Sequence, residues 1–107
     1  LKVSFLLRGT GTTIEVLFAD LFAEVDHIAF PVNEHFDCEI GLPVSPSSVH
    51  GQLIARVYNG NQKRFEKEVD EALAAFTPTP SDREHSRSQT YPIGTTAVVH
   101  MGSFVVV

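Results

Sequence analysis

The sequence has few of the residues that hold small domains together through covalent bonds or metal ions. Its 107 residues include one cysteine, Cys38, which excludes an internal disulfide and a four-cysteine zinc site. The five histidines are dispersed without the spacing of metal ligands. We therefore expect no metal ion and no resident cofactor.

Long apolar runs are missing as well. No run approaches the ~20 residues of a membrane span, and no signal-peptide pattern opens the chain. With 43% hydrophobic and 20% charged residues, the composition is typical of one globular domain, and we expect a reducing, cytoplasmic setting. The chain stops inside the apolar run 104–107, which indicates a single domain over residues 1–107 that is truncated at its C-terminal end.

Positive charge is scarce in the first half of the chain. Residues 1–53 contain two basic and seven acidic side chains, whereas residues 54–107 contain six of each. This balance argues against nucleic acid as a partner, because polyanions are bound by clustered Lys and Arg. A small anion is still compatible with it, since backbone N–H groups and helix N-termini hold anions without side-chain charge.

The predicted elements run in the order strands, helices, strands. Apolar alternation and β-branched residues predict strands, and apolar side chains at helical spacing predict two helices. Strands are expected at residues 2–7, 13–18, 27–33, 91–99 and 104–107, and helices at 49–57 and 61–76. The polar segment 77–89 predicts an exposed, mobile loop. This order favours an α/β or α+β class with a sheet of mixed direction.

The end of the predicted strand 27–33 is the first candidate binding segment. Asn33 closes the strand, and Glu34, Phe36 and Asp37 follow it in an acidic turn. In α/β folds, ligands sit beyond the carboxyl ends of strands, and an Asn side chain offers both a donor and an acceptor to ribose hydroxyls. Asn33 and Asp37 are equally compatible with a plain turn cap.

Two glycine-containing segments are further candidates. The first predicted helix begins with Ser48, His50 and Gly51, and the free N–H groups of a helix start favour an anion. Plain N-capping explains the serine, but it does not explain a glycine in the first turn. Gly94 and Thr95 lie inside a strand-like pattern, which indicates either a bulge or a wall close to a ligand. Sequence spacing does not separate these two interpretations.

Catalytic pairs are weakly indicated. Ser48 with His50, and Cys38 with His35, lie too close in sequence to suggest a nucleophile and its base. We therefore assign no catalytic residue and expect a binding domain rather than an enzyme.

Three short motifs stand out when the chain is taken as a whole: PVNEHFD at residues 31–37, SVHG at 48–51 and YPIGTTA at 91–97. A hairpin and the step ADLF at residues 19–22 precede them. In this order and spacing the motifs resemble the divergent macro domains of Thoeris antiphage effectors of the ThsA type. The similarity extends from about Val16 to Val107.

The resemblance implies a macro-domain-like, three-layer α/β/α fold with a mixed central sheet, which binds ADP-ribose-like nucleotides. By position, Asp20 would contact the adenine amino group and Leu21 would lie beside the adenine ring. Asn33 would face the distal ribose or the modified end of the ligand. The helix start at residues 48–51 would border the phosphates.

The resemblance also implies a sensor. A partner enzyme with a TIR domain would make an ADP-ribose-derived signal, either a cyclic ADP-ribose isomer or a conjugate such as histidine–ADP-ribose. The domain would bind the signal and activate an effector module outside these residues. The full-length protein can carry a membrane anchor and can form an oligomer. Two alternatives stay open: a macro-type ADP-ribosyl hydrolase in which Asn33 positions a water, and a protein-interaction domain that uses its acidic face.

Overall fold

The computed structural model describes residues 1–23, 26–41, 43–84, 86–101 and 104–106. A short 3-10 helix, Leu21–Ala23, follows the second strand. The strands are β1 (Lys2–Leu6), β2 (Thr13–Leu17), β3 (Asp26–Ile28), β4 (Thr79–Pro80), β5 (Gln89–Thr90), β6 (Val99–Met101) and β7 (Phe104–Val106); the helices are α1 (Val49–Arg56) and α2 (Gln62–Leu73).

The strands form three small sheets. β1 and β2 pair in antiparallel register, with Val3 opposite Val16 and Phe5 opposite Ile14, which confirms the predicted hairpin. β3 runs parallel to β7, and β7 runs antiparallel to β6, so this three-stranded sheet has the mixed direction that the sequence predicts. β4 and β5 form a short antiparallel ladder.

The hairpin has one apolar face and one face of mixed polar and apolar side chains. Side chains alternate across a strand, so Val3, Phe5, Ile14 and Val16 share one face. On the other face the Lys2 ammonium lies 2.7 Å from a carboxylate oxygen of Glu15. The hairpin residues are exposed and are separate from the main core.

Two predicted strands are shorter than expected. The strand predicted at residues 27–33 ends at Ile28, because the chain turns away before Pro31, which has no N–H for a ladder. The strand predicted at 91–99 begins only at Val99. Residues 92–95 form a turn instead, in which the N–H of Thr95 donates to the carbonyl of Pro92 at 3.1 Å and Gly94 has a φ of +91°. Gly94 therefore belongs to a turn and not to a bulge.

Both helices begin within one residue of the predicted start, at capping side chains. The Ser48 hydroxyl accepts from the N–H of Gly51 at 3.0 Å, and the Asn61 amide oxygen accepts from the N–H of Arg64 at 3.1 Å. In α2 the predicted stripe Phe65, Val69 and Leu73 is buried. The stripe does not extend to Phe76, because the helix ends at Leu73 and Phe76 is 39% exposed.

The core lies between the two helices and β6. Leu53, Ile54 and Tyr58 face the stripe of α2, and Val99 of β6 joins them. Phe36 and Cys38, from the segment between β3 and α1, complete the cluster. The described residues thus place helices against a mixed sheet, as in an α/β fold, while the three-layer arrangement stays a prediction. Within them, no helix is long and apolar enough to cross a bilayer.

We predict unequal effects for two phenylalanines of the predicted stripe. Phe65→Ala should lower the free energy of unfolding by about 3–5 kcal/mol, because it leaves a cavity between the helices. Phe76→Ala should cost about 1 kcal/mol or less, since the ring is partly exposed. Urea denaturation measures both. Equal losses would mean that α2 and its buried stripe extend to Phe76.

Candidate functional site

A cavity of about 220 Å³ opens at the edge of the core. One wall is the segment that follows β3, and the opposite wall is the segment that precedes β6. The helices α1 and α2 supply the remaining sides. The lining residues are Phe30, Pro31, Val32, Phe36, Cys38, His50, Phe65, Val69, Thr95, Thr96, Ala97 and Val99. All of them are uncharged apart from His50, whose charge depends on its protonation.

Four aromatic rings contribute to the lining. The His50 ring lies between Phe30 and Phe65, with centroid distances of 5.5 and 5.2 Å. The Phe36 ring packs edge-on against the Tyr91 ring, with the ring centroids 5.5 Å apart, so Tyr91 supports the Phe36 ring. Phe36 has a φ of 53°, a left-handed conformation that non-glycine residues adopt rarely. The turn that carries Phe36 thus sets the position of one cavity wall.

His50 is a polar side chain of this lining with a ring nitrogen that makes no hydrogen bond. Its Nε2 atom is buried and has no hydrogen-bond partner among the described residues. Burial lowers the pKa of His50 below its usual value near 6.5, and the Asp37 charge offsets this only in part. The imidazole is therefore neutral at pH 7. A buried polar atom without a partner costs free energy.

The glycine in the first turn of α1 is explained by packing. A Cβ atom at Gly51 would lie 2.3 Å from the carbonyl oxygen of Ser45 and 2.7 Å from that of Pro46. The Ser48 hydroxyl also donates to the Ser45 carbonyl at 2.6 Å, which holds the preceding loop against the helix. Gly51 thus admits the close approach of the protein's own backbone at this point.

The turn after β3 is built on Asn33. Its side-chain oxygen accepts from the N–H groups of His35 and Asp37, at 3.1 and 3.3 Å, and its amide donates to the Asp37 carboxylate at 2.6 Å. These contacts are the turn cap that the sequence left open as an alternative. Glu34, one residue further on, is exposed, and its carbonyl accepts from the N–H of Tyr91 at 3.0 Å.

Asp37 is a buried charge with three side-chain donors. Its carboxylate accepts from Asn33, from Arg83 at 2.8 Å and from Ser86 at 3.0 Å, and the side chain is 1% exposed. Burial alone would raise its pKa, but the three hydrogen bonds together with the Arg83 charge hold the pKa of Asp37 below its usual value. The segment 77–89, predicted to be mobile, is therefore anchored to the core through polar contacts.

Asp20 and Leu21 lie near the other end of α1. The Asp20 carboxylate forms a bidentate ion pair with the Arg56 guanidinium, with N···O distances of 2.9 and 2.7 Å. The Arg56 guanidinium also lies over the Phe22 ring. Arg56 is the last residue of α1, whereas His50 is in its first turn. At a rise of about 1.5 Å per residue, the two positions are about 9 Å apart along the helix axis.

Comparison with known families decides the relationship. A family model described as the macro domain of Thoeris protein ThsA matches residues 14–107. The chain belongs to this family. The match confirms the resemblance that the motifs suggested, and it begins within β2. No curated protein matches the chain.

Within this macro domain, three of the predicted site residues line the cavity: Phe36, His50 and Thr95. The others lie outside the lining, each in a local structural contact, in a turn or at the surface: Asp20, Leu21, Asn33, Glu34, Asp37, Ser48, Gly51 and Gly94. The assignment of ligand contacts to these eight stays a prediction.

Sequence reasoning missed most of the apolar lining, including Phe30, Phe65 and Val69. Their pattern is that of core side chains, and periodicity does not distinguish a core position from the wall of a pocket. For Thr96 and Ala97 the sequence does contain an indication of a site, because both residues belong to the YPIGTTA motif. Among the described residues, no group of three or more His, Cys, Asp or Glu side chains could hold a metal ion.

We predict that Gly51→Ala destabilises the macro domain. The added methyl group meets fixed backbone oxygens, and overpacking of this kind costs about 1–3 kcal/mol, more than the helix propensity of Ala returns. Gly11→Ala is the matched control, because a Cβ there meets nothing within 4 Å. Denaturant titration of both variants is the measurement, and a Gly51→Ala variant as stable as Gly11→Ala would refute the packing explanation.

We predict a pH-dependent effect of Asp37→Asn. At pH 7 the variant should be about 3 kcal/mol less stable, because Arg83 loses its buried partner. The folded pKa lies below the unfolded value of about 3.9, so this stabilisation is complete above that pH and is lost as the pH falls through the folded pKa. The difference between variant and parent should therefore shrink below pH ~4.

Asp82→Asn is the control for this experiment. Asp82 is exposed in the same segment, and its replacement should change stability by less than about 0.5 kcal/mol. Thermal unfolding of all three proteins between neutral and acidic pH supplies the data. A constant difference in stability between Asp37→Asn and the parent across this pH range would contradict a lowered pKa of Asp37 in the folded protein.

Proposed function

We propose that this macro domain binds an ADP-ribose-derived signal nucleotide and acts as the sensor of a Thoeris defence effector. The observation that carries the proposal is the family match over residues 14–107. The signal is a cyclic ADP-ribose isomer or a conjugate such as histidine–ADP-ribose, made by a partner enzyme with a TIR domain. The proposal includes a three-layer α/β/α fold and a cytoplasmic position for the domain.

The cavity supports binding of a part of such a ligand. Pockets for drug-sized molecules occupy about 300–1,000 Å³, and the cavity of about 220 Å³ is smaller. It can hold one group of a nucleotide while the remainder lies over the surrounding surface. His50 lies in the first turn of α1 and lines the cavity, so the N-terminal end of this helix lies next to the same opening.

The start of α1 offers a place for negative charge beside the cavity. The Ser48 cap uses the N–H of Gly51 and leaves the N–H groups of Val49 and His50 without an acceptor among the described residues. Free N–H groups at a helix start, together with the helix dipole, favour anions. Phosphates could thus bind here although the chain is acidic.

We propose that the domain binds its ligand without chemical turnover. General base catalysis needs a group that reaches the substrate with a suitable pKa. Asp37 is buried and its carboxylate is occupied by Asn33, Arg83 and Ser86, so it is a poor candidate for activating a water. Asn33 is likewise engaged in its own turn.

A calorimetric panel tests the proposal. The domain is titrated with ADP-ribose, cyclic ADP-ribose isomers, histidine–ADP-ribose and inorganic pyrophosphate, and each ligand is recovered and analysed by chromatography. We expect at least one of the ADP-ribose derivatives to bind 10-fold or more tightly than pyrophosphate, which is about 1.4 kcal/mol. The ligand should be recovered intact.

Two outcomes would contradict the proposal. If no ADP-ribose derivative binds, or none binds more tightly than pyrophosphate, the result would argue against a nucleotide sensor and favour the protein-interaction alternative. Turnover of an ADP-ribosylated substrate at enzyme-like rates, abolished by Asn33→Ala in a folded variant, would instead identify a hydrolase.

A further inference from the structure

We infer that Arg83 is a positioning residue of the candidate binding site, which sets the place of the Phe36 wall of the cavity by way of Asp37. Arg83 itself lies outside the cavity lining, so it acts through the turn after β3 and not by touching a ligand. This inference rests on the proposed function, because it names a residue on which binding at the same cavity depends.

The Phe36 wall and the partner of Arg83 are neighbours in the chain. Phe36 lines the cavity, and the carboxylate of the next residue, Asp37, accepts from Arg83 Nη1 at 2.8 Å. The Asp37 side chain is 1% exposed and that of Arg83 is 26% exposed, so most of this ion pair is removed from water. Since the peptide bond between Phe36 and Asp37 is planar and stiff, a shift of Asp37 is passed directly to Phe36.

Backbone strain is found on both sides of this ion pair. Three non-glycine residues of the described chain have a positive φ: Phe36 at 53°, Asn59 at 51° and Ser86 at 62°. Asparagine tolerates this conformation, whereas phenylalanine and serine adopt it rarely and keep it only where the surrounding contacts hold them. Phe36 precedes Asp37, and the Ser86 hydroxyl donates to the Asp37 carboxylate at 3.0 Å. The Asp37 contacts thus hold two strained turns, and relaxation of the first would displace the wall.

A second connection holds the Phe36 ring from the segment that carries Arg83. We define the strap as residues 79–84 and 86–91, which include β4 and β5. The N–H of Tyr91, at the end of the strap, donates to the carbonyl of Glu34 at 3.0 Å, and the Tyr91 ring packs against the Phe36 ring. A displaced strap therefore loosens the wall through the backbone and through the ring contact.

The charge of Arg83 makes it the contact whose loss has the largest effect. Asn33 and Ser86 are neutral donors to Asp37, and Arg83 is the cation that the described residues pair with this carboxylate. Without Arg83, a buried negative charge would keep only neutral donors, which strongly favours exposure of the carboxylate to water. The strained turn that carries Phe36 should then open, and a ligand in the cavity would lose that wall.

A measurement on the free protein tests the positioning. Nuclear Overhauser contacts between the Phe36 and Tyr91 rings are compared in the parent, Arg83→Gln and Arg83→Lys. We expect these contacts to be lost in Arg83→Gln, which removes the charge, and to be retained in part in Arg83→Lys, which keeps it. Arg64→Gln is the matched control, because the ion pair of Arg64 with Glu68 lies within α2, and it should leave the contacts unchanged.

A double-mutant cycle tests whether Arg83 acts on binding through Phe36. ADP-ribose, the cyclic ADP-ribose isomers and histidine–ADP-ribose are titrated by calorimetry into the parent, Arg83→Gln, Phe36→Leu and the double variant. Arg83→Gln should weaken the tightest-binding of these ligands about 5- to 150-fold, the usual range for coupling between distinct sites. In the Phe36→Leu background the same change should weaken binding less than about 2-fold, because the ring that Arg83 positions is already gone.

A further variant keeps the test independent of the stability of Arg83→Gln. If Arg83→Gln is unfolded by circular dichroism, Asp37→Asn/Arg83→Gln takes its place in both measurements. Removal of both charges leaves no unpaired carboxylate in the interior, so this variant should fold. A neutral amide pair holds the strained turn less firmly than the ion pair does, so the ring contacts and the ligand affinity should still decrease.

The outcomes separate this inference from the proposed function. If an ADP-ribose derivative binds the parent and the folded Arg83 variant equally well, the positioning role is overturned and the sensor proposal stands. If the ring contacts are lost in Arg83→Gln while no ADP-ribose derivative binds the parent, Arg83 does position the cavity wall and the sensor proposal fails. Unchanged ring contacts in Arg83→Gln overturn the inference. An equal loss of affinity with and without the Phe36 ring also overturns it, because Arg83 would then contact the ligand directly.

Discussion

The buried carboxylate of Asp37 is the constraint on which the centre of this domain depends. A charge removed from water must be matched by donors, and here they come from Asn33 on one side and from Arg83 and Ser86 on the other. The turn after β3 and the polar segment after α2 are thereby joined. Since Phe36 and Cys38 flank Asp37 in the chain and line the cavity, the same contacts also hold a wall of the cavity.

Local features of the fold could be predicted from the sequence. The hairpin follows from β-branched alternation on both sides of a glycine-rich turn, and the two helices follow from their apolar spacing, with a capping serine at the start of the first. These signals lie within a few residues of the structure that they specify. The family relationship also follows from local motifs, because three short segments in a fixed order were enough to suggest the macro domain that the family match confirms.

Features that depend on distant residues could not be predicted. Arg83 lies 46 residues after Asp37, and nothing in the composition of segment 77–89 indicates that its charged side chains are anchored in the core. The sequence pattern places the end of β3 too late, because apolar residues up to Val32 continue the strand pattern although they line a cavity. A glycine in the first turn of a helix is unusual, but the reason for Gly51 is the close backbone of Ser45 and Pro46, whose position a sequence does not give.

The uncharged lining of the cavity has a kinetic consequence for an acidic protein. The chain carries a net charge of −5, and a nucleotide with phosphates approaches it against a repulsive field that no basic lining residue reverses. Added salt screens this repulsion over distances of about 10 Å at 0.1 M. Association of such a nucleotide should thus accelerate as ionic strength rises, the reverse of the behaviour of proteins that steer anions with Lys and Arg.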